Sequence, residues 1–205
     1  MELQNGGGIN RRDFAKGAVG LGGAAMLGAV ALTASRSGGL AFAAGAPFKS
    51  DVDVLNYALT LEYFEATLYK TIIDSGKLQG RDQQFITLFG QQEQAHVDAV
   101  KATIEKLGGT PVQKADYNFP TLGDRAAVLN LLNIVEQTGV GAYLGAAGYI
   151  QNKDILAAAA SIMQVEARHT ALIRYLLDIP PVPDAFTPAF TPDEVLAKVA
   201  PFFKK

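Results

Sequence analysis

One arrangement occurs twice in this chain and constrains it more than any other: a Glu, a Tyr seven positions on, and a Glu-x-x-His about thirty positions on. The first copy is Glu62, Tyr69 and Glu93-x-x-His96; the second is Glu136, Tyr143 and Glu166-x-x-His169. Their Glu-to-Glu intervals are 31 and 30 residues. Residues three or seven apart on an α-helix share a face, so each copy turns its polar groups to one side. That side is the apolar one. Phe89, Val100 and Ile104 flank the first Glu-x-x-His, and Ile162, Leu172 and Leu176 flank the second. Only seven Glu stand in the 162 residues from Ala44 onward, so a given His has about a 4% chance of a Glu three positions before it, and two such accidents are on the order of 0.2%. The two motifs also use both His of the chain.

The surrounding pattern predicts an all-α fold. Apolar residues recur at helical spacing over Asp51–Ser75, Arg81–Leu107, Thr121–Tyr149 and Asn152–Ile179. Gly76, Gly108-Gly109 and Pro180-Pro181 supply stop signals. Each segment spans about 25 residues, or roughly 38 Å. Short connections at Gly76–Gly80 and Gln151 predict two antiparallel hairpins, while Gly108–Pro120 is long enough to cross the length of a bundle. The expected fold is therefore a four-helix bundle of two hairpins joined by one long crossover. Beyond it, the five prolines between Pro180 and Pro192 predict an extended stretch, with Phe186 and Phe190 as buried anchors. Thr191-Pro192-Asp193-Glu194 reads as a capping box opening a short last helix through Phe202.

Four inward carboxylates at one level need compensation. Without it they repel, and each costs several kcal/mol of desolvation unless protonated or paired. Arg168 is the nearby cation and projects away from the face of His169. Two divalent cations would balance the four negative charges, with the neutral imidazoles completing the shell. The predicted metal-binding set is Glu62, Glu93, His96, Glu136, Glu166 and His169, for two Fe or two Mn. Glu65, one turn after Glu62, is the alternative acid on the first helix; the repeat favours Glu62, because the counterpart of Glu65 is Gly139. Tyr69 and Tyr143 are candidate catalytic residues, with the alternative that they are core aromatics with satisfied hydroxyls. Gln92 is a candidate hydrogen-bond donor to the site. Gly139, Gly141, Gly145 and Gly148 predict either close approach to the third helix or a local kink.

Composition narrows the function classes. With no Cys there is no disulfide, Fe–S cluster or thiol catalysis. The chain has 18 basic and 20 acidic residues; four of the basic and two of the acidic fall in residues 1–44, leaving an acidic body without a basic run. Nucleic acid is not an expected partner. Arg11-Arg12, followed by Phe14 and Lys16, precedes a weakly apolar run from Gly17 to Ala34. This resembles a twin-arginine export signal, with Ala41-Phe42-Ala43 as the cleavage site. The alternative is a retained membrane anchor, although five glycines make the 18-residue run a poor span. The expected organisation is a signal over residues 1–43, the bundle over 44–179 and the Pro-rich tail over 180–205. The expected location is the periplasm or cell envelope, reached through the twin-arginine machinery.

On these motifs, residues 51–178 resemble the ferritin-like superfamily, in which bacterioferritins and rubrerythrins show the same order of Glu, Glu-x-x-His, Glu and Glu-x-x-His. Leu55-Asn56-Tyr57-Ala58-Leu59-Thr60-Leu61-Glu62-Tyr63-Phe64-Glu65-Ala66 and Phe190-Thr191-Pro192-Asp193-Glu194-Val195-Leu196 more narrowly resemble exported ferritin-like domain proteins that include the desiccation-related group. The resemblance implies a dinuclear centre on the six residues above, handling Fe(II), O2 or peroxide in ferroxidase- or catalase-like chemistry. It equally allows a non-catalytic stress protein with a structural metal site, and an oligomer. Without Cys the chain has no rubrerythrin-type electron-transfer module, and its extended tail departs from that of cage-forming ferritins.

Overall fold

Four long helices occupy the predicted segments. In the computed structural model, which describes residues 30–34, 40–44 and 48–204, they are α1 (Asp51–Ser75), α2 (Gly80–Lys106), α3 (Arg125–Ala146) and α4 (Lys153–Leu176). Side-chain oxygens of Ser50, Asp124 and Asn152 accept from backbone N–H groups in the first turns of α1, α3 and α4, satisfying donors that have no partner within the helix. Gly76 and Gly108, at φ 64° and 76°, take the left-handed conformation that ends α1 and α2.

Three boundaries of the long helices differ from expectation by three residues or more, the first being the end of α3, which gives way after Ala146 to a 3-10 turn over Ala147–Tyr149. Helix α3 begins at Arg125 rather than Thr121, because Asp124 caps it through the Ala127 N–H at 2.9 Å. Helix α4 stops at Leu176 rather than Ile179, because Asp178 turns left-handed at φ 57° and the Ile179 N–H closes back on Arg174.

α1 packs along α2, and α3 along α4, so the two hairpins form as predicted. The crossover between them is tied to α1 by Asn56, whose side chain accepts from the Val112 N–H at 2.8 Å and donates to the Thr110 carbonyl at 3.2 Å. Asp51 accepts from the N–H groups of Gln151 and Asn152 at 2.8 and 2.9 Å, fixing the turn of the second hairpin to the start of the first.

Apolar side chains fill both ends of the bundle. One cluster includes Leu68, Ile72, Ile86, Phe89, Leu129, Leu132 and Ile173; the other includes Leu59, Val97, Val100, Ile104 and Ile155. Fully burying each Leu or Ile stabilises by about 1.5–3 kcal/mol, and this offsets the polar groups held between the clusters.

The short helix α5 (Pro192–Val199) starts with the predicted capping box, Thr191 and Glu194 each bonding the other's backbone N–H. The chain then returns to the crossover: the Asn118 N–H donates to the Phe202 carbonyl at 2.7 Å, and the Lys204 N–H to Asp116 at 3.0 Å. Phe64, Tyr117, Phe119, Phe202 and Phe203 meet there as an aromatic cluster. Phe190 packs against this body, and its N–H donates to the Gly141 carbonyl at 2.9 Å. A Cβ on Gly141 would stand 2.3 Å from the Phe190 ring, and one on Gly145 only 1.9 Å from the Phe190 carbonyl oxygen. These two glycines therefore serve close approach, and the approaching group is the tail rather than another helix. Phe186 corrects the expectation of a buried anchor: it is 72% exposed.

Ahead of the bundle, Val30–Ala34 (β1) and Leu40–Ala44 (β2) pair as an antiparallel ribbon with Leu32 opposite Phe42. Arg11, Arg12 and most of the expected apolar signal run lie outside the described residues. Among the described residues, no helix is long and apolar enough to cross a membrane.

Candidate metal centre

Each long helix contributes at least one glutamate to a common chamber between the two apolar clusters. Glu62, Glu93, Glu136 and Glu166 have no solvent exposure, and His96 and His169 are buried beside them. These six are the residues singled out by the repeat, and the fold brings all of them together. Their potential metal-binding atoms form two overlapping groups, each within 4.8 Å: Glu62, Glu93, His96 and Glu166 in one, and Glu93, Glu136, Glu166 and His169 in the other.

The shared members divide their oxygens. Glu93 turns Oε2 toward His96 Nδ1 at 3.2 Å and Oε1 toward His169 Nδ1 at 2.9 Å. Glu166 turns Oε1 toward His96 Nδ1 at 3.0 Å and Oε2 toward His169 Nδ1 at 3.9 Å. Glu62 and Glu136 each serve one half, at 3.4 Å from the nearer imidazole nitrogen. Atoms about 2.1 Å from a common ion in octahedral array sit about 3 Å from one another. Most of the observed spacings therefore match the edge of a coordination shell.

Hydrogen bonding does not account for this convergence. Glu62 Oε2, Glu93 Oε1, Glu136 Oε2, both oxygens of Glu166 and His169 Nδ1 are buried without a hydrogen-bond partner. Buried polar atoms are ordinarily satisfied, and half of the unsatisfied ones among the described residues are concentrated in this chamber. Hard carboxylate oxygens with one imidazole on each side suit two ions of the iron or manganese type.

The outer atoms of the same side chains are held. The Tyr69 hydroxyl donates to Glu136 Oε1, and the Tyr143 hydroxyl to Glu62 Oε1. Each bond crosses from one hairpin to the other and leaves the second carboxylate oxygen facing inward. Both hydroxyls are thus satisfied by carboxylates of the site. Desolvation first, then the adjacent carboxylates, push both phenols well above their usual range, so they stay protonated and donate.

Gln92 also serves the opposite hairpin, and it accepts rather than donates. Its Oε1 lies 2.7 Å from His169 Nε2, whose N–H donates to it, leaving Nδ1 as the position for a proton or a metal. The Phe89 ring stacks on His169 with centroids 4.2 Å apart, which further fixes the imidazole. No spacing signal reports either contact.

Protonation in the metal-free chamber follows from crowding. Burial opposes charge on His96, yet Glu166, Glu62 and Glu93 around its Nδ1 push it up to about 12. Burial likewise opposes charge on His169, and Glu136 and Glu93 push it up to about 9. Desolvation raises Glu62 to about 7 and carries Glu166 well above the carboxylate range. Glu93 is desolvated too, but the His169 and His96 imidazoles beside it hold it below that range. Without metal, imidazolium and carboxyl protons supply the compensating positive charge, so metal entry must release protons.

A helical bundle whose chamber gathers four carboxylates and two imidazoles in this manner has the arrangement of the ferritin-like carboxylate class. The chain belongs to the ferritin-like domain family, whose profile matches residues 50–178. Among solved structures it is similar to a ferritin-like, diiron-carboxylate protein from Bacillus anthracis str. Ames, at 20% identity over 62% of this chain and 94% of that one, with a TM-score of 0.53. It is also similar to the conserved hypothetical protein rv2844 from Mycobacterium tuberculosis, at 20% identity over 65% of this chain and 94% of that one (TM-score 0.55). A third, the hypothetical protein MJ0754 from Methanococcus jannaschii DSM 2661, shares 16% identity over 75% of this chain and 94% of that one (TM-score 0.54). No curated protein matches the chain.

Proposed function

We propose that the chain binds two iron or two manganese ions through Glu62, Glu93, His96, Glu136, Glu166 and His169, and uses them to process Fe(II), O2 or peroxide. The observation that carries this reading is the division of Glu93 and Glu166, each offering one oxygen to either half of the chamber. A metal pair of this kind supplies reversible electron exchange with small oxygen species. The protein's own part is positional. Tyr69 and Tyr143 orient the two terminal carboxylates, Gln92 holds the His169 tautomer, and the apolar clusters limit water around the chamber.

Elemental analysis of purified protein is expected to find two equivalents of Fe or Mn per chain. The loaded protein is expected to consume Fe(II) or H2O2 at least tenfold faster than the same amount of free metal. Full loading without consumption of either reagent would leave the non-catalytic reading, a stress or desiccation protein with a structural metal pair. A metal-free preparation that stays folded and takes up neither ion would overturn the dinuclear centre.

The Arg11-Arg12 signal with its following apolar run supports export to the periplasm or cell envelope by the twin-arginine route. Replacing both residues by Lys is expected to leave the protein in the cytoplasmic fraction; unchanged export of that variant would refute the assignment.

A further inference from the structure

The Pro-rich tail does not close onto the α3–α4 hairpin along its whole length. Arg174 Nε donates to the Pro180 carbonyl at 2.7 Å, and the Phe190 N–H donates to the Gly141 carbonyl at 2.9 Å, so the stretch is tied to a helix at each end. Between these ties Pro181, Pro183 and Pro188 have no N–H with which to bond the helices. A cleft of about 170 Å³ remains beneath the tail. None of the six chamber residues lines it. Gln137, Ala167 and Thr170 do, and they directly follow Glu136, Glu166 and His169 in the chain. Cleft and chamber therefore lie on different faces of the same two helices.

Arg174 and Asp184 are the charged residues of the lining, one from α4 and the other from the tail. No ion pair among the described residues includes either, so they do not neutralise each other. The Thr170 hydroxyl is buried in the lining without a partner, although buried polar atoms are ordinarily bonded; a helical Thr has two rotamers open to it, so this hydroxyl can turn toward a ligand. Gln137 gives Nε2 to the Asn133 carbonyl at 3.0 Å, which leaves Oε1 as an acceptor. Val140, Val182 and Phe190 supply apolar walls.

The two charges decide the class of ligand. A bare anion would be drawn to Arg174 and repelled by Asp184, and a bare cation would meet the reverse. A molecule carrying one charge of each sign complements both. An apolar cavity of about 150 Å³ holds benzene, so this cleft suits a ligand of about six to ten non-hydrogen atoms. We propose that the cleft binds a free α-amino acid with an apolar side chain. Its carboxylate meets Arg174 and the Thr170 hydroxyl, its ammonium meets Asp184 and Gln137 Oε1, and its side chain packs on Val140, Val182 and Phe190.

Calorimetric titration of the full chain with leucine tests this whatever the state of the metal centre, because no chamber residue takes part. Wild type is expected to bind one leucine per chain, at least about tenfold more tightly than isocaproate, which lacks the ammonium, or isoamylamine, which lacks the carboxylate. Asp184→Asn is expected to lose at least about tenfold in leucine affinity while binding isocaproate no more weakly than wild type does. Arg174→Gln, which keeps a donor for the Pro180 carbonyl, is expected to lose at least about tenfold for leucine, with circular dichroism confirming the fold. Should that variant not fold, Asp184→Asn decides alone, since its side chain is exposed. Folded wild type that shows no saturable leucine binding would overturn the proposal. So would equal affinities for leucine and isocaproate, or an unchanged leucine affinity in either folded variant.

Discussion

Glu93→Ala is expected to abolish binding of both metal ions, with affinity falling at least about 100-fold, whereas Glu136→Ala is expected to retain no more than one ion. The difference follows from geometry. Glu93 gives Oε2 to the His96 half and Oε1 to the His169 half, so its removal strips an oxygen from each. Glu136 approaches only His169, and the group of Glu62, Glu93, His96 and Glu166 stays complete without it. Tyr143→Phe leaves all six residues in place and only releases Glu62 Oε1, so a smaller loss of about 10–100-fold is expected, as for other outer hydrogen-bond partners of metal-binding side chains. Elemental analysis after dialysis, with circular dichroism to confirm folding, reads all three. Two ions retained by Glu93→Ala would refute its place in both halves, and two retained by Glu136→Ala would refute the assignment of the second half.

Removing metal should reverse the pH dependence of stability. In the metal-free protein Glu62 is raised to about 7 by desolvation, so it favours the folded state while protonated and loses that contribution as pH climbs from its ordinary 4.5 through 7. His169 and His96, raised to about 9 and about 12, act in the same direction: their contributions are full below 6.5 and are lost as pH rises above it. Within the chamber Glu93, held low, acts in the opposite direction: it adds stability above the carboxylate range and loses it in acid. The metal-free protein is therefore expected to be most stable near pH 5 and to melt lower by on the order of 10 °C at pH 8, from the shift of Glu62 alone. With metal bound, stability rises over the same interval, because ions displace the chamber protons and bind more tightly as pH increases. Thermal melts at pH 5, 6.5 and 8, with and without chelator, check both trends. A metal-free melt that rises with pH would mean the chamber is compensated by something other than its own protons.

Much of the architecture was legible because helical periodicity and end signals are local. Ser75-Gly76 and Lys106-Leu107-Gly108 closed α1 and α2 where predicted, and the contrast between short and long connections selected the two-hairpin arrangement. The tail was less legible. Phe186 and Phe190 look alike in sequence, four residues apart in a Pro-rich stretch, yet Phe190 is seated on Gly141 and Gly145 while Phe186 keeps most of its surface exposed. Burial of a single aromatic outside any periodic element depends on the shape it meets, and that shape lies about fifty residues away in the chain.

The six chamber residues follow from sequence because two facts suffice: residues at i, i+3 and i+7 share a helix face, and the apolar face turns inward. How they divide the work does not follow. That Glu93 and Glu166 face both halves, that Tyr69 meets Glu136 and Tyr143 meets Glu62 across 67 and 81 residues, and that Gln92 serves His169 across 77, are set by the rotation and depth of one hairpin against the other. Such contacts depend on side-chain packing summed along whole helices, and no local spacing encodes that sum. Gly139 shows the boundary most plainly. Sequence marks it as the missing acid of the second half; only the folded chain shows that its vacancy is filled by Glu65.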